Sequence, residues 1–227
     1  MGIMTVFKAR SASVKYSKGD VEGAMQLYKE AMNEGLKDVR YILTYSVLLI
    51  RNGDYQEARD LLVKVQKYPM SDDQKRQLFV NYASCVYKLG EIQKGIELLE
   101  RMHQKQPSGI IYETLGYLYV EAGDAEKALP FNLEAVEYDE EDPICLDNLA
   151  QTYYRIVGDK EKAKEYFLKA IEVKPGQIDT LYFLAQYDIE AGDKAAAKEK
   201  LEKALEGRFS PLNYVAREKV EELIKSL

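Results

Sequence analysis

The sequence predicts an all-α fold of about six stacked helical hairpins followed by a closing helix. Three observations carry that expectation. First, a motif recurs six times: a glycine, an acid right after it, and a small residue five positions past the glycine. It reads "YSKGDVEGA", "IRNGDYQEA", "YKLGEIQKG", "EAGDAEKA", "RIVGDKEKA" and "IEAGDKAAA". Second, its glycines (Gly19, Gly53, Gly90, Gly123, Gly158 and Gly192) are spaced by 34, 37, 33, 35 and 34 residues. A fixed period of that length is the signature of a repeat architecture. Third, the composition is rich in Ala, Leu, Glu, Lys and Gln and holds only 6 prolines, which favours helix.

Each unit reads as two helices meeting at the glycine. Glycine reaches φ > 0 without steric cost, so it closes the first helix. The acid accepts an orphan backbone N–H and so starts the second helix. The small residue lies one turn further on and lets two helices approach closely. One such hairpin cannot bury its apolar face alone, but stacked neighbours can.

The first repeat, 5–38, opens on the weakly amphipathic "VFKARSASVKYSK", with Lys15 where an apolar residue is expected; Ala24 and Ala31 lie on its second helix. The second, 39–75, has the apolar run "YILTYSVLLI", a capping box in "DYQE" (Asp54 to Glu57), and Ala58 and Val65. The third, 76–108, puts Cys85 on the buried side of its first helix and carries Gly95 in place of alanine, then Met102. The fourth, 109–142, keeps Ile111, Leu115, Leu118 and Ala122 at helical spacing in "IIYETLGYLYVEA", followed by Ala128 and Ala135. Pro130 should bend its second helix. The fifth, 143–177, holds one extra residue before Gly158, expected to lengthen the inter-helix turn, and then Ala163, Phe167, Ala170 and Pro175. The sixth, 178–211, carries Ala197 and Ala204. Residues 212–227, "LNYVAREKVEELIKSL", read as a capping helix with Ser210 as N-cap and Pro211 in its first turn. Ala216, Val220, Leu223 and Leu227 would face inward. All of this is expected to form one domain, 1–227.

Composition excludes several functions. The net charge of −6 is uneven: 17 basic and 13 acidic side chains fall in 1–108, against 15 and 25 in 109–227. An acidic protein is a poor binder of nucleic acid, which needs a basic surface. The longest uncharged apolar run is about ten residues, whereas a membrane span needs roughly 20, so no insertion of this chain into a membrane is expected. "MGIMTVFKAR" lacks the apolar centre of a secretory signal, and Val6 stands where a myristoylation motif has Ser or Thr. The opening "MGIM" leaves room for an upstream segment such as a membrane anchor. The 2 cysteines, Cys85 and Cys145, fit neither a disulfide framework nor a zinc motif. They read as buried thiols in a reducing compartment, the cytoplasm.

No catalytic constellation is present either. The single histidine, His103, cannot supply an HExxH site and is expected on the solvent side or at a helix C-terminus. No phosphate-binding glycine loop or nucleophile elbow occurs. Cys85 has no base on its own helix. "YDEEDP" (138–143) lacks the glycine and final Glu of a calcium loop and reads as a solvated turn. The expectation is therefore no enzyme, no cofactor and no metal.

These repeats resemble the tetratricopeptide repeat, whose loose pattern is Leu-Gly-x-x-Tyr, then Ala, an aromatic, Ala and Pro. "LGYLY" with Ala128, Phe131 and Ala135 matches best; "NLAQTYY" with Ala163, Phe167, Ala170 and Pro175 follows. The resemblance implies an open right-handed α-α superhelix, a solenoid, with the first helices lining its concave face. It also implies a binding module that holds a peptide or another protein's helix. Carried over by position, the partner-binding candidates are Arg10, Thr44, Arg51, Asn81, Lys88, Tyr117, Asn148, Tyr154, Arg155 and Tyr182. Asn81 and Asn148 would pair with an extended ligand backbone. The groove would be basic in its N-terminal half and mainly acidic in its C-terminal half, through Glu113, Glu121, Asp147 and Asp179. A carboxylate clamp is excluded, since its Lys would fall at Ala9, Leu43, Val80, Glu113, Asp147 or Tyr182. The function expected is a non-catalytic adaptor for a protein segment. The alternative is a scaffold that self-associates or assembles a complex, and the oligomeric state stays open.

Overall fold

The computed structural model describes residues 2–227, and among them there are thirteen α-helices, one π-helical segment and no strand. The α-helices are α1 (Gly2–Ser17), α2 (Val21–Asn33), α3 (Val39–Asn52), α4 (Tyr55–Val65), α5 (Asp72–Lys88), α6 (Ile92–Lys105), α7 (Gly109–Ala122), α8 (Ala125–Tyr138), α9 (Pro143–Gln151), α10 (Lys160–Val173), α11 (Ile178–Glu190), α12 (Lys194–Leu205) and α13 (Arg217–Ser226). Packing divides the chain into two compact units, Met1–Leu99 and Glu100–Leu227, the division falling inside α6. In unit 1, α1 packs on α2, α3 on α4, and both α3 and α4 on α5. In unit 2, α7 packs on α8 and α9, and each helix from α9 to α12 packs on the next α-helix. A succession of hairpins closed by their neighbours is the all-α solenoid class.

The motif works as its chemistry demands. All six of its glycines have positive φ, from 67° at Gly123 to 87° at Gly19 and Gly53. The carboxylates of Asp20, Asp124, Asp159 and Asp193 each accept the N–H three residues on, at 2.8 to 3.0 Å. Ala24, Ala58, Ala128, Ala163 and Ala197 are all fully buried. A Cβ at Gly95 would lie 3.1 Å from the backbone oxygen of Ala83, which explains the glycine there. Ala31, Val65, Ala135, Ala170 and Ala204 complete the seam, while Met102 is only half-buried.

Three expectations need correcting. Asp54 caps nothing with its side chain; Asn52 Nδ2 donates to that carboxylate at 2.7 Å. The capping box forms instead at the start of α5, where Ser71 and Gln74 bond each other's backbone N–H. The extra residue of the fifth repeat does not lengthen the turn. It is absorbed by the π-helical segment Thr152–Val157, which continues α9 and still ends on Gly158 at φ 82°. A π turn bonds five residues back instead of four, so it takes up one residue without moving the helix end. The Gly158 N–H accordingly donates to the Tyr153 carbonyl at 2.8 Å.

The capping helix is shorter than 212–227. α13 begins at Arg217, and Ser210 and Pro211 do not start it. The buried Asp179 carboxylate accepts the N–H of Tyr214 and of Val215, both at 3.1 Å, and the Asn213 side chain at 3.0 Å. A carboxylate offering acceptors to consecutive N–H groups holds the segment irregular, because a helix would commit them elsewhere. His103 lies in the last turn of α6, one of the two places expected for it, with its side chain largely buried. Its ring sits 4.8 Å from Tyr112 and 5.1 Å from Phe131, centroid to centroid, with Nε2 3.4 Å from Glu134. Pro130 lies within α8, which runs unbroken through it.

Candidate protein-binding surface

In unit 1 the candidate residues separate into surface cations and packed groups. Arg10, Thr44 and Arg51 are exposed, and Lys88 is half-buried. The Arg51 guanidinium donates to the Tyr16 hydroxyl at 2.9 Å, which joins the last turns of α1 and α3. Lys88 Nζ stands 4.7 Å from the centre of the Tyr87 ring, a cation over an aromatic face. Thr44 Oγ1 donates back to the Arg40 carbonyl. Asn81 belongs to the packed set. It is buried, its Nδ2 donates to Ser46 Oγ at 2.9 Å, and its Oδ1 accepts from Gln77 at 2.7 Å.

Unit 2 repeats the pattern. Asn148 is buried and donates to the Glu113 carbonyl at 2.8 Å, tying α9 to α7. Asn81 and Asn148 thus join first helices of adjacent repeats. Tyr154, Arg155 and Tyr182 are brought together around Tyr214, which sequence reasoning passed over. Arg155 lies 4.3 Å over the Tyr214 ring and donates to Glu121 at 2.7 Å and to Gln151 at 2.9 Å. Tyr214 stacks on Phe183 at 4.9 Å, and Tyr182 lies 6.2 Å away. Tyr154 packs against Phe183 at 5.1 Å. Tyr117 is half-buried on α7, one helix away from that cluster in the chain.

The acids expected to charge this half of the groove are engaged with one another or with the protein. Glu121 pairs with Arg155. Asp147 is buried and accepts from Thr180 at 2.5 Å and from Gln151 at 2.7 Å. Burial, with Asp179 beside it, pushes Asp147 up to about 7. Glu113 is likewise raised to about 7, by burial and by the Asp142 carboxyl that shares a hydrogen bond with it. Asp179 is spent on the segment before α13. An acidic surface is therefore not what these positions present. The buried thiols are inert as well: desolvation raises Cys85 to about 12 and pushes Cys145 up too. A cleft of about 860 Å³ between α2 and α4, lined by Tyr45, Tyr55 and Lys64, includes none of the ten candidates.

The raised carboxyls give a signed expectation. Between about pH 4 and 7 the folded chain keeps protons on Asp147 and Glu113 that the unfolded chain has released. Unfolding free energy then falls as pH rises through that window and levels off above it. For the buried Asp147 the slope is at most about 1.4 kcal/mol per pH unit. The melting temperature should therefore be higher near pH 5.5 than near pH 8, and Asp147→Asn should flatten the profile. A melting temperature that climbs over this range, unchanged by the substitution, would contradict the assignment.

Comparison with known families decides what kind of protein carries this surface. The family described as "Tetratrico peptide repeat" matches residues 5–67 and 45–138, more than half of the chain, and "Tetratricopeptide repeat" matches residues 145–177. The chain belongs to the tetratricopeptide repeat (TPR) family. None of the curated proteins compared matches it. Among solved structures, the thermophilic TPR protein TTC0263 of Thermus thermophilus is 18% identical with a TM-score of 0.67, over 83% of this chain and 97% of that one. The C-terminal part of a TPR repeat-containing protein from Cytophaga hutchinsonii is 18% identical with a TM-score of 0.57, over 87% and 78%. YrrB, described as a TPR protein with an unusual peptide-binding site, is 20% identical with a TM-score of 0.51, over 77% and 88%. At these identities the likeness is one of fold. TPR proteins are in general interaction modules, so protein or peptide partners follow from the family. Among the described residues no helix is long and apolar enough to cross a membrane.

Proposed function

We propose that this TPR chain is a non-catalytic adaptor that holds a segment of another protein along the first helices of its repeats. In unit 1 the surface is Arg10, Thr44, Arg51 and Lys88, with Tyr16 and Tyr87 beside them. In unit 2 it is Tyr117, Tyr154, Arg155 and Tyr182, with Tyr214. The observation that carries the reading is the state of the charges. Among the described residues Arg10 and Arg51 make no ion pair, whereas Glu121 is paired, Asp147 and Asp179 are buried, and Glu113 is half-buried against Asp142. A segment bearing carboxylates fits unit 1, and the aromatic rings offer area at low entropic cost. The cytoplasm is the compartment that the two buried thiols favour.

The test is capture. Arg51→Glu with Lys88→Glu should reduce recovery of partners by roughly tenfold or more at low salt, since like charges set against a partner's acids cost several kcal/mol. Recovery should also fall with added salt, because these cations are exposed. Unchanged capture by the double variant would remove unit 1 as the site. Asn81→Ala and Asn148→Ala are unsuitable probes of binding, as each would first loosen a repeat-to-repeat bond.

A further inference from the structure

We infer that the outer face of α1 docks an amphipathic helix of a partner protein, seated as α2 seats on α3 and α4 on α5. The starting point is an exposure that the fold does not explain. Ile3 is 89% exposed, Met4 69%, Phe7 71% and Val14 47%. Ile3, Phe7 and Val14 share one helical face, and exposed apolar patches of this kind mark contact sites. The buried side of α1, with Thr5, Ala9 and Ala12, is a different face and is already used by the protein.

The repeat itself says what covers such a face. Counted back from the motif glycine, Phe7 occupies the column of Tyr41 and Leu78, and Val14 the column of Leu48 and Cys85. Leu78 and Leu48 are 2% exposed and Cys85 is 0%. The preceding second helix packs on each of these first helices. α4 lies on α5, with Tyr55 and Arg59 near Cys85. α2 lies on α3, where the Tyr28 and Tyr45 rings stack at 5.2 Å. In α1 the column of Tyr45 holds Ser11. Phe7 and Val14 then stand on either side of a small residue, and Phe7, Arg10, Ser11, Val14 and Lys15 line a shallow groove. A ridge from an incoming helix fits that hollow, as ridges fit grooves elsewhere in helix packing.

Charge selects the occupant. Lys8 is taken by Glu30 and Glu34, and Lys15 by Asp20. Arg10 remains at the edge of the groove, so the helix that fits carries acids along its flank. A second copy fits less well. Two α1 helices facing each other would set Arg10 against Arg10. The terminal helix α13 has no large exposed apolar side chain to extend the seam. This surface shares Arg10 with the one through Arg51 and Lys88, but its apolar seat at Phe7 and Val14 lies outside that one, so the Phe7 variant tests it separately.

The probe is a synthetic peptide of residues 21–36, "VEGAMQLYKEAMNEGL", stapled as a helix, because this is the segment that covers α3. Fluorescence anisotropy should show saturable binding to the full chain. Phe7→Glu should weaken it at least tenfold, and Arg10→Glu severalfold at low salt. Phe7 is exposed, so its variant should keep the wild-type circular dichroism and melting temperature, and Arg51→Glu with Lys88→Glu should bind the peptide as the wild type does. The inference fails if the peptide does not bind, if a scrambled peptide binds equally, or if Phe7→Glu has no effect. It also fails if the wild type sediments as an oligomer that Phe7→Glu dissociates, which makes the occupant a second copy. Binding to phosphatidylserine vesicles through Phe7, with none to the peptide, would assign the face to lipid instead.

Discussion

Asp179→Ala should destabilise the chain by about 2–5 kcal/mol and release the segment that precedes α13. The carboxylate holds three donors, and two of them are backbone N–H groups of Tyr214 and Val215. Val215 is 1% exposed, so its N–H has no water to turn to once the acceptor is gone. Each buried donor left unsatisfied costs about 1–3 kcal/mol. Asp179→Asn should fall between wild type and alanine, since its oxygen keeps one acceptor while its amide opposes the other donors. Two readouts separate this from a general loss of stability. Trypsin should cut after Arg208 faster in the variant under native conditions, and the Tyr214 and Val215 amides should lose hydrogen-exchange protection before the helices do. The pH profile should move as well. Asp179 is one of the charges raising Asp147, so removing it should shift that descent to lower pH. Equal cutting rates in wild type and variant would show that the segment is held by something other than this carboxylate.

The legible part of the fold was its punctuation. A glycine at positive φ, an aspartate capping the next helix and an alanine where two helices touch are local requirements, and local requirements leave a mark in the residues themselves. Gly123, Asp124 and Ala128 do what their chemistry suggests because each answers to neighbours within one turn. The extra residue before Gly158 was equally visible as a count. Its fate was not, because a turn and a π segment can each absorb one residue, and the choice depends on whether Gly158 and Asp159 keep their places. Ser210 and Pro211 carry a plausible helix-start signal, but the groups that decide against it lie on α11, more than thirty residues earlier in the chain.

The candidate surface was harder to read for a related reason. In a solenoid a polar residue on a first helix meets either a ligand or the next first helix, and the two faces are separated by one step of the helical wheel. Asn81 and Asn148 occupy periodic positions compatible with both. The contacts with Ser46 and with the Glu113 carbonyl assign them to the repeat-to-repeat seam. Charge counting failed similarly for the acids. Glu113, Glu121, Asp147 and Asp179 are all negative on paper. Burial and shared protons leave Asp147 and Glu113 titrating near neutrality instead of presenting charge. Arg10 and Arg51 stay exposed, because long basic side chains seldom pack away without a partner.

Phe167→Ala should have the largest effect on stability, about 3–5 kcal/mol, as the cost of emptying a fully buried aromatic site. Phe167 is 0% exposed, and its ring stacks on Phe183 at 5.0 Å and meets Tyr154 edge-on at 6.3 Å. The consequence reaches beyond the core, because those two partners support the surface cluster. Phe183 carries Tyr214, and Tyr214 carries the Arg155 guanidinium. Removing Phe167 therefore takes away the floor under Tyr154 and Phe183 and loosens the cation and ring above them. Urea denaturation should show a lower midpoint, and Phe167→Leu, which retains much of the volume, should lose clearly less. Aromatic side-chain resonances of Tyr154 and Tyr214 should shift in the alanine variant below its melting temperature. If the midpoint falls while those resonances stay fixed, core and surface are energetically separate. If both change, the residue that stabilises the fifth repeat also fixes the geometry of the candidate surface above it.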